Sequence, residues 1–118
     1  MRLEMVEPVR EWLRSLRKDD PELSRQIADV IQTILEVGPG LGRPLVDSLS
    51  GDQAKQIKLK EMRASGTIRI AFVYHGGIIL LLLANGDKRR ADSKRFYAEL
   101  IETATLRYTR WLAEQEEK

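Results

Sequence analysis

The sequence predicts an α+β fold, with a helical hairpin packed on an antiparallel β-sheet and a helix at the C-terminal end. Three observations predict it. Two early segments carry apolar residues at three- and four-residue spacing, the middle of the chain holds three short strand-like runs, and a last segment returns to helical spacing. A length of 118 residues sets the expectation of one domain, residues 1–118, large enough to bury a core.

Arg2 to Met5 alternates weakly and reads as a short strand. From Val6 onward, Val6, Val9, Trp12, Leu13 and Leu16 fall on one helical face. "RKDDP" ends that helix, and Asp20 before Pro21 starts the next: the carboxylate can cap it, and proline fits a first turn. Leu23, Ile27, Val30, Ile31 and Ile34 form the second stripe, closed by "GPG" at Gly38 to Gly40. So short a connection makes the two helices an antiparallel hairpin. The segment "LGRPLVDSLSGDQ" reads as a loop, dense in Gly, Pro, Ser and Asp. Strands are expected at Lys55 to Arg63, Thr67 to Tyr74 and Ile78 to Ala84, joined by "ASG" and "HGG" as hairpin turns. The third run, "IILLLLA", lacks alternation and so reads as a central strand covered on both faces; it is far too short to span a bilayer. Tyr97, Leu100, Ile101, Ala104, Tyr108, Trp111 and Leu112 stripe the final helix.

The absence of cysteine excludes disulfides and thiolate metal sites and agrees with a reducing cytoplasm. "MRLEMVEPVR" has no uninterrupted apolar run and is not read as a signal peptide. Net charge is only +2, but it is unevenly placed. Lys55 to Arg95 holds ten basic and three acidic residues, a balance of +7, while the remainder carries ten basic and fifteen acidic, or −5. Such segregation points to an anionic partner for the middle of the chain. Strand alternation would put Lys58, Lys60 and Arg69 on one sheet surface, with Arg63 at its rim and small Ala71 leaving room for a ligand. Lys88, Arg89 and Arg90 enter from just past the third strand.

The stretches "KLKEMRASGTIRIAFVY", "NGDKRR" and "FYAELIETA" resemble the RelE/HigB superfamily of toxins from bacterial type II toxin–antitoxin modules. Lys60-Glu61-Met62-Arg63, Arg69-Ile70-Ala71-Phe72 and Gly86-Asp87-Lys88 are similar to the motifs of its phage-derived HigB-like branch. Each motif is short; their joint order and spacing over nearly the whole chain carry the resemblance. It implies a RelE-like domain, an mRNA endoribonuclease acting in the ribosomal A site, and a cognate antitoxin, expected to be a helix-turn-helix DNA-binding protein. The strand lysines of the family correspond to Lys58 and Lys60, its arginines to Arg63 and Arg69, its basic turn to Lys88 and Arg89, and its tyrosine to Tyr97. Lys55, Arg89 and Arg90 are the expected further RNA contacts. Some relatives use a histidine near the C-terminus; here the one histidine, His75, lies in the "HGG" turn and reads as an exposed turn residue.

The chemistry is self-consistent without metal or cofactor, because RNA supplies its own nucleophile in the 2′-hydroxyl. Arginine forks match phosphate oxygens and stay charged, so Arg63, Arg69 and Lys88 or Arg89 would hold the scissile phosphate. Lys58 or Lys60 would serve as base, and Tyr97 would orient the hydroxyl or stack on a base. Three other readings compete. A ParE-like toxin would use the same scaffold against DNA gyrase, a non-catalytic module would bind RNA or phosphate, and an inactive homologue would keep only protein contacts. Singly, each cation also reads as a solvated strand residue, Tyr97 as core, and Asp87 as a turn former. Trp12 and Trp111 read as core or interface.

Overall fold

The computed structural model describes residues 1–90 and 92–117, with Arg90 described by its backbone alone. The elements run β1 (Arg2–Met5), α1 (Glu7–Asp19), α2 (Pro21–Val37), β2 (Val46–Ser48), α3 (Asp52–Ile57), β3 (Lys60–Ser65), β4 (Ile68–His75), β5 (Ile79–Asp87) and α4 (Ser93–Glu116). Short 3₁₀ turns at Gly38–Gly40 and Lys88–Arg90 close α2 and follow β5. The class is α+β, as the sequence predicts.

The hairpin forms for the reasons read from its sequence. Asp20 accepts a hydrogen bond from the Leu23 amide at 3.2 Å, and Pro21 opens α2. Gly38 ends α2 at φ 80°, a left-handed value that suits glycine. The sheet order is β1-β5-β4-β3-β2. The three long strands form the expected antiparallel meander. Two short strands extend it. β1 joins β5 in parallel, Arg2 opposite Ile79 through Met5 opposite Leu82, and β2 joins β3 antiparallel inside the segment expected to be loop.

Helices cover both faces of the sheet. Ile27, Ile31 and Ile34 of α2, with Val9 of α1, meet Met62, Ile70, Phe72, Leu80 and Leu82. On the other face Leu100, Ala104 and Trp111 of α4 meet Ala71, Val73, Leu81 and Leu83, with Ala54 of α3 at one side. The unbroken run Ile79 to Ala84 is therefore buried on both sides. A bulge in β5, opposite the step from Ala71 to Phe72, leaves Leu83 without a partner in the ladder, and the Arg107 guanidinium donates to the Leu83 carbonyl at 3.0 Å. Among the described residues no helix is long and apolar enough to cross a membrane.

His75, expected to be exposed in its turn, is half-buried instead. Its Nδ1 lies 2.8 Å from the Tyr108 hydroxyl and its ring sits edge-on to Trp111 at 4.8 Å. The turn itself passes to Gly76 and Gly77, whose φ values of 61° and 74° supply the two left-handed positions of a tight hairpin. Trp111 belongs to the core and Trp12 packs partly buried against the hairpin side.

A Cβ placed on Gly86 would lie 2.8 Å from the Phe96 ring, where β5 passes under the start of α4. Gly86→Ala is expected to lower unfolding stability by about 1–3 kcal/mol, measured by urea denaturation, because the ring must leave its packed position.

Candidate nucleic-acid interface

The site is built on the register of β3 and β4. Glu61 pairs with Ala71, Met62 with Ile70, and Arg63 with Arg69. Met62 and Ile70 enter the hairpin-side core, so alternation turns Glu61, Arg63 and Arg69 toward α4. Two arginines directly opposite one another repel. Glu61 resolves that: its Oε1 lies 3.1 Å from Arg69 Nε and 3.7 Å from Arg63 Nε. The Arg69–Glu61 contact is one of charge, without the alignment of a hydrogen bond. Arg69 Nη1 instead donates to the carbonyls of Gly66 at 2.8 Å and Ile68 at 3.0 Å, gripping the β3–β4 turn. The Arg69 and Glu61 side chains are 7% and 5% exposed. Tyr97, one turn into α4, donates its hydroxyl to Glu61 Oε1 at 2.9 Å. Burial, followed by the neighbouring carboxylate, pushes the Tyr97 phenol above its ordinary value against a smaller opposite pull from Arg69.

Above this floor opens a cleft of about 620 Å³, whose charged and polar walls include Arg43, Asp47, Arg63, Lys88, Lys94 and Tyr97. Asp47 accepts from Arg43 at 2.8 Å, which holds its carboxyl below the ordinary value, and lies 3.8 Å from Arg63. Lys88 Nζ stands 5.8 Å from the centre of the Tyr97 ring, within cation–π range. The basic turn is fastened to the β3–β4 turn. The Lys88 amide donates to the Thr67 carbonyl at 3.1 Å, and Asp87 accepts from the Thr67 hydroxyl at 2.5 Å and from the Arg89 amide at 2.9 Å. Asp87 therefore shapes the turn, as its sequence context suggests. The Arg89 guanidinium lies exposed, 3.2 Å from Asp87.

A second depression, of about 310 Å³, lies beside α3 and is lined by Lys55, Lys58 and Lys60 with Ser48, Leu49 and Leu59. Ser48 and Leu49 line the cleft as well, so the two hollows adjoin at the end of β2. Lys60 Nζ donates to the Ser48 hydroxyl at 3.1 Å, on the boundary.

The predicted cations thus divide. Arg63, Lys88 and Tyr97 share the cleft, whereas Arg69 lies buried under it and Lys55, Lys58 and Lys60 surround the neighbouring hollow. The expected common strand face of Lys58, Lys60 and Arg69 does not form. Gly51, at φ 99°, turns the chain into α3, Lys58 becomes that helix's C-cap, and β3 starts only at Lys60. Lys60 then pairs with Phe72 and is out of phase with Arg69, while Arg63, expected at the rim, is in phase with it. Ala71 leaves no room for a ligand, because α4 fills the space over it and leaves it fully buried. The Arg90 side chain lies outside the described residues. Sequence reasoning passed over Glu61, Asp47, Arg43 and Lys94. The lone acid in "KEMR" and the four-residue spacing of Arg43 and Asp47 were the available signals.

Arg69→Ala is expected to lower unfolding stability by about 3 kcal/mol, read from denaturant midpoints, because it leaves Glu61 buried without its nearest cation. Burial pushes the Tyr74, Tyr97 and Tyr108 phenols above the ordinary tyrosine range. Absorbance titration should therefore show native tyrosines ionising only above it. Since the folded values exceed the unfolded ones, this contribution to stability is complete below the unfolded value and is lost as pH climbs through the folded ones.

Comparison with known proteins gives the arrangement a family. The profile of the family described as "Phage derived protein Gp49-like (DUF891)" matches residues 11–109. "Putative toxin HigB3" of Mycobacterium tuberculosis (strain ATCC 25618 / H37Rv) is 32% identical over 112 residues, covering 94% of this chain and 93% of that protein. "Putative toxin HigB2" of the same organism is 31% identical over 114 residues, which is 95% of this chain but 55% of the longer relative. No solved structure matches. A family profile over most of the chain, and a relative aligned along nearly its whole length, establish that this chain belongs to the phage-derived Gp49-like family as a HigB-like toxin.

Proposed function

We propose that the chain is the toxin of a type II toxin–antitoxin pair and acts as a ribosome-dependent endoribonuclease on mRNA. The observation that carries this reading is the convergence of Arg63, Lys88 and Lys94 with Tyr97 on one open cleft. Cations and a ring drawn from β3, the turn after β5 and α4 suit a phosphate with its attached nucleoside.

In this mechanism the 2′-oxygen attacks the adjacent phosphorus, the P–O5′ bond breaks with the leaving 5′-oxygen taking a proton from solvent water, and the products carry a 2′,3′-cyclic phosphate and a 5′-hydroxyl. Arg63 and Lys88 stabilise the added negative charge on the phosphorane. Lys60 lines the hollow and not the cleft, so to take the 2′ proton its side chain swings from Ser48 around the end of β2. Tyr97 presents its ring to the nucleoside, its hydroxyl being fixed by Glu61. Arg69 acts as a positioning residue, since it holds Glu61 and the turn. The partner implied is an antitoxin that occupies this surface or blocks access to the ribosome, with a helix-turn-helix protein as the expected type.

Mapping of mRNA 5′ ends after induction should reveal new cuts in translated messages, with 5′-hydroxyl termini. Arg63→Ala should reduce cutting by about 10²-fold with little change in the unfolding midpoint. Intact messages with stalled gyrase would replace this reading with the ParE-like one, and RNA binding without products would leave a binding module.

A further inference from the structure

We propose that Lys55 and Lys58 form a flanking-phosphate clamp for single-stranded RNA, holding a backbone phosphate neighbouring the one gripped in the cleft; this rests on the nuclease reading. Three observations carry it. The first is charge. The hollow beside α3 is lined by Lys55, Lys58 and Lys60 and by no carboxylate, unlike the cleft, where Asp47 and Glu61 offset part of the positive charge. Lys55 and Lys58 make no ion pair among the described residues. Their mutual repulsion is left for a bound anion to relieve.

The second is backbone conformation. Lys58 caps α3 at φ 56°, ψ 45°, and is the one non-glycine residue with positive φ among the described residues. Its amide reaches the Ala54 and Lys55 carbonyls, and the Leu59 amide reaches Ala54 at 2.9 Å. Glycine takes this cap position without the steric cost that a side chain brings. The cap geometry asks for glycine, and the chain places an ammonium there. The left-handed turn sends the backbone from α3 into β3 while presenting Lys58 at the rim of the hollow.

The third is continuity. The hollow and the cleft share Ser48 and Leu49, so an extended strand seated in the cleft can pass over the end of β2 into the hollow without leaving the surface. A phosphodiester chain repeats its charge at a short, regular interval and suits two adjoining cationic hollows better than a single anion does.

The test is the salt dependence of binding to an RNA oligonucleotide at low ionic strength, for the full chain and for Lys55→Gln/Lys58→Gln. The double variant should lower the slope of log K against log salt by about 0.7, since the clamp holds one phosphate and each phosphate contact on a single strand contributes about 0.7. Lys18→Gln, an exposed change on α1, should leave the slope unchanged. Lys58→Gly should raise the unfolding midpoint while still reducing the slope, separating the charge from the fold. An unchanged slope in the double variant, an equal loss in Lys18→Gln, a lowered midpoint in Lys58→Gly, or weakened binding of an acidic partner protein with RNA binding intact would each overturn the clamp. Failure of the nuclease reading shows separately, as absence of new mRNA 5′ ends on induction while the RNA-binding slope still responds to the lysines.

Discussion

Everything at the cleft depends on one buried carboxylate. Glu61 stands where two arginines from paired strands would otherwise face each other across the ladder, and it also receives the hydroxyl of Tyr97 from α4. A buried charge is tolerated only when its partners are close and its lone pairs are used. Here Arg69 supplies the near cation, Arg63 a more distant one, and Tyr97 the hydrogen bond. Through these contacts a single side chain ties β3, β4 and α4 together. It also decides which arginine is left to face solvent: Arg69 is drawn inward toward the turn carbonyls, and Arg63 is left at the surface of the cleft.

This division explains why the fold was easier to read than the site. Helical stripes such as Leu23, Ile27, Val30, Ile31 and Ile34, and the cap at Asp20, depend on local spacing, and local spacing is written in the chain. The unbroken Ile79 to Ala84 run announced a strand covered on both sides, and α1, α2 and α4 provide that cover. The parallel partner of β5 and the short β2 were harder, because each is only a few residues long and owes its existence to a distant strand.

The site was misread at two points, each with a physical cause. Period-two alternation was carried back from Lys60 to Lys55, although Lys55, Gln56 and Ile57 belong to α3 and Lys58 caps it. That mistake put Lys58 in phase with Lys60; treating Leu59 and Ile70 as one core face, when they enter opposite cores, put Lys60 in phase with Arg69. The second was to treat every arginine on a strand as available to a ligand. Whether an arginine faces water or serves the interior depends on the carboxylate and carbonyls around it in three dimensions, and for Arg69 these are Glu61, Gly66 and Ile68. Arg63, Lys88 and Tyr97, far apart in sequence, line one cleft, and their turn and helix are fastened by Thr67, Asp87 and Glu61.

The parallel pairing of β1 with β5 has a consequence for how the molecule is made. On a translating ribosome β1 must wait for Leu82, its last partner, before its hydrogen bonds can close. Until then α1 and α2 can pair as a hairpin, but the sheet they cover is incomplete and α4 has not been synthesised. A nascent chain therefore stays without its Tyr97-bearing wall until α4 follows the sheet, so the cleft is completed only after the strands that floor it.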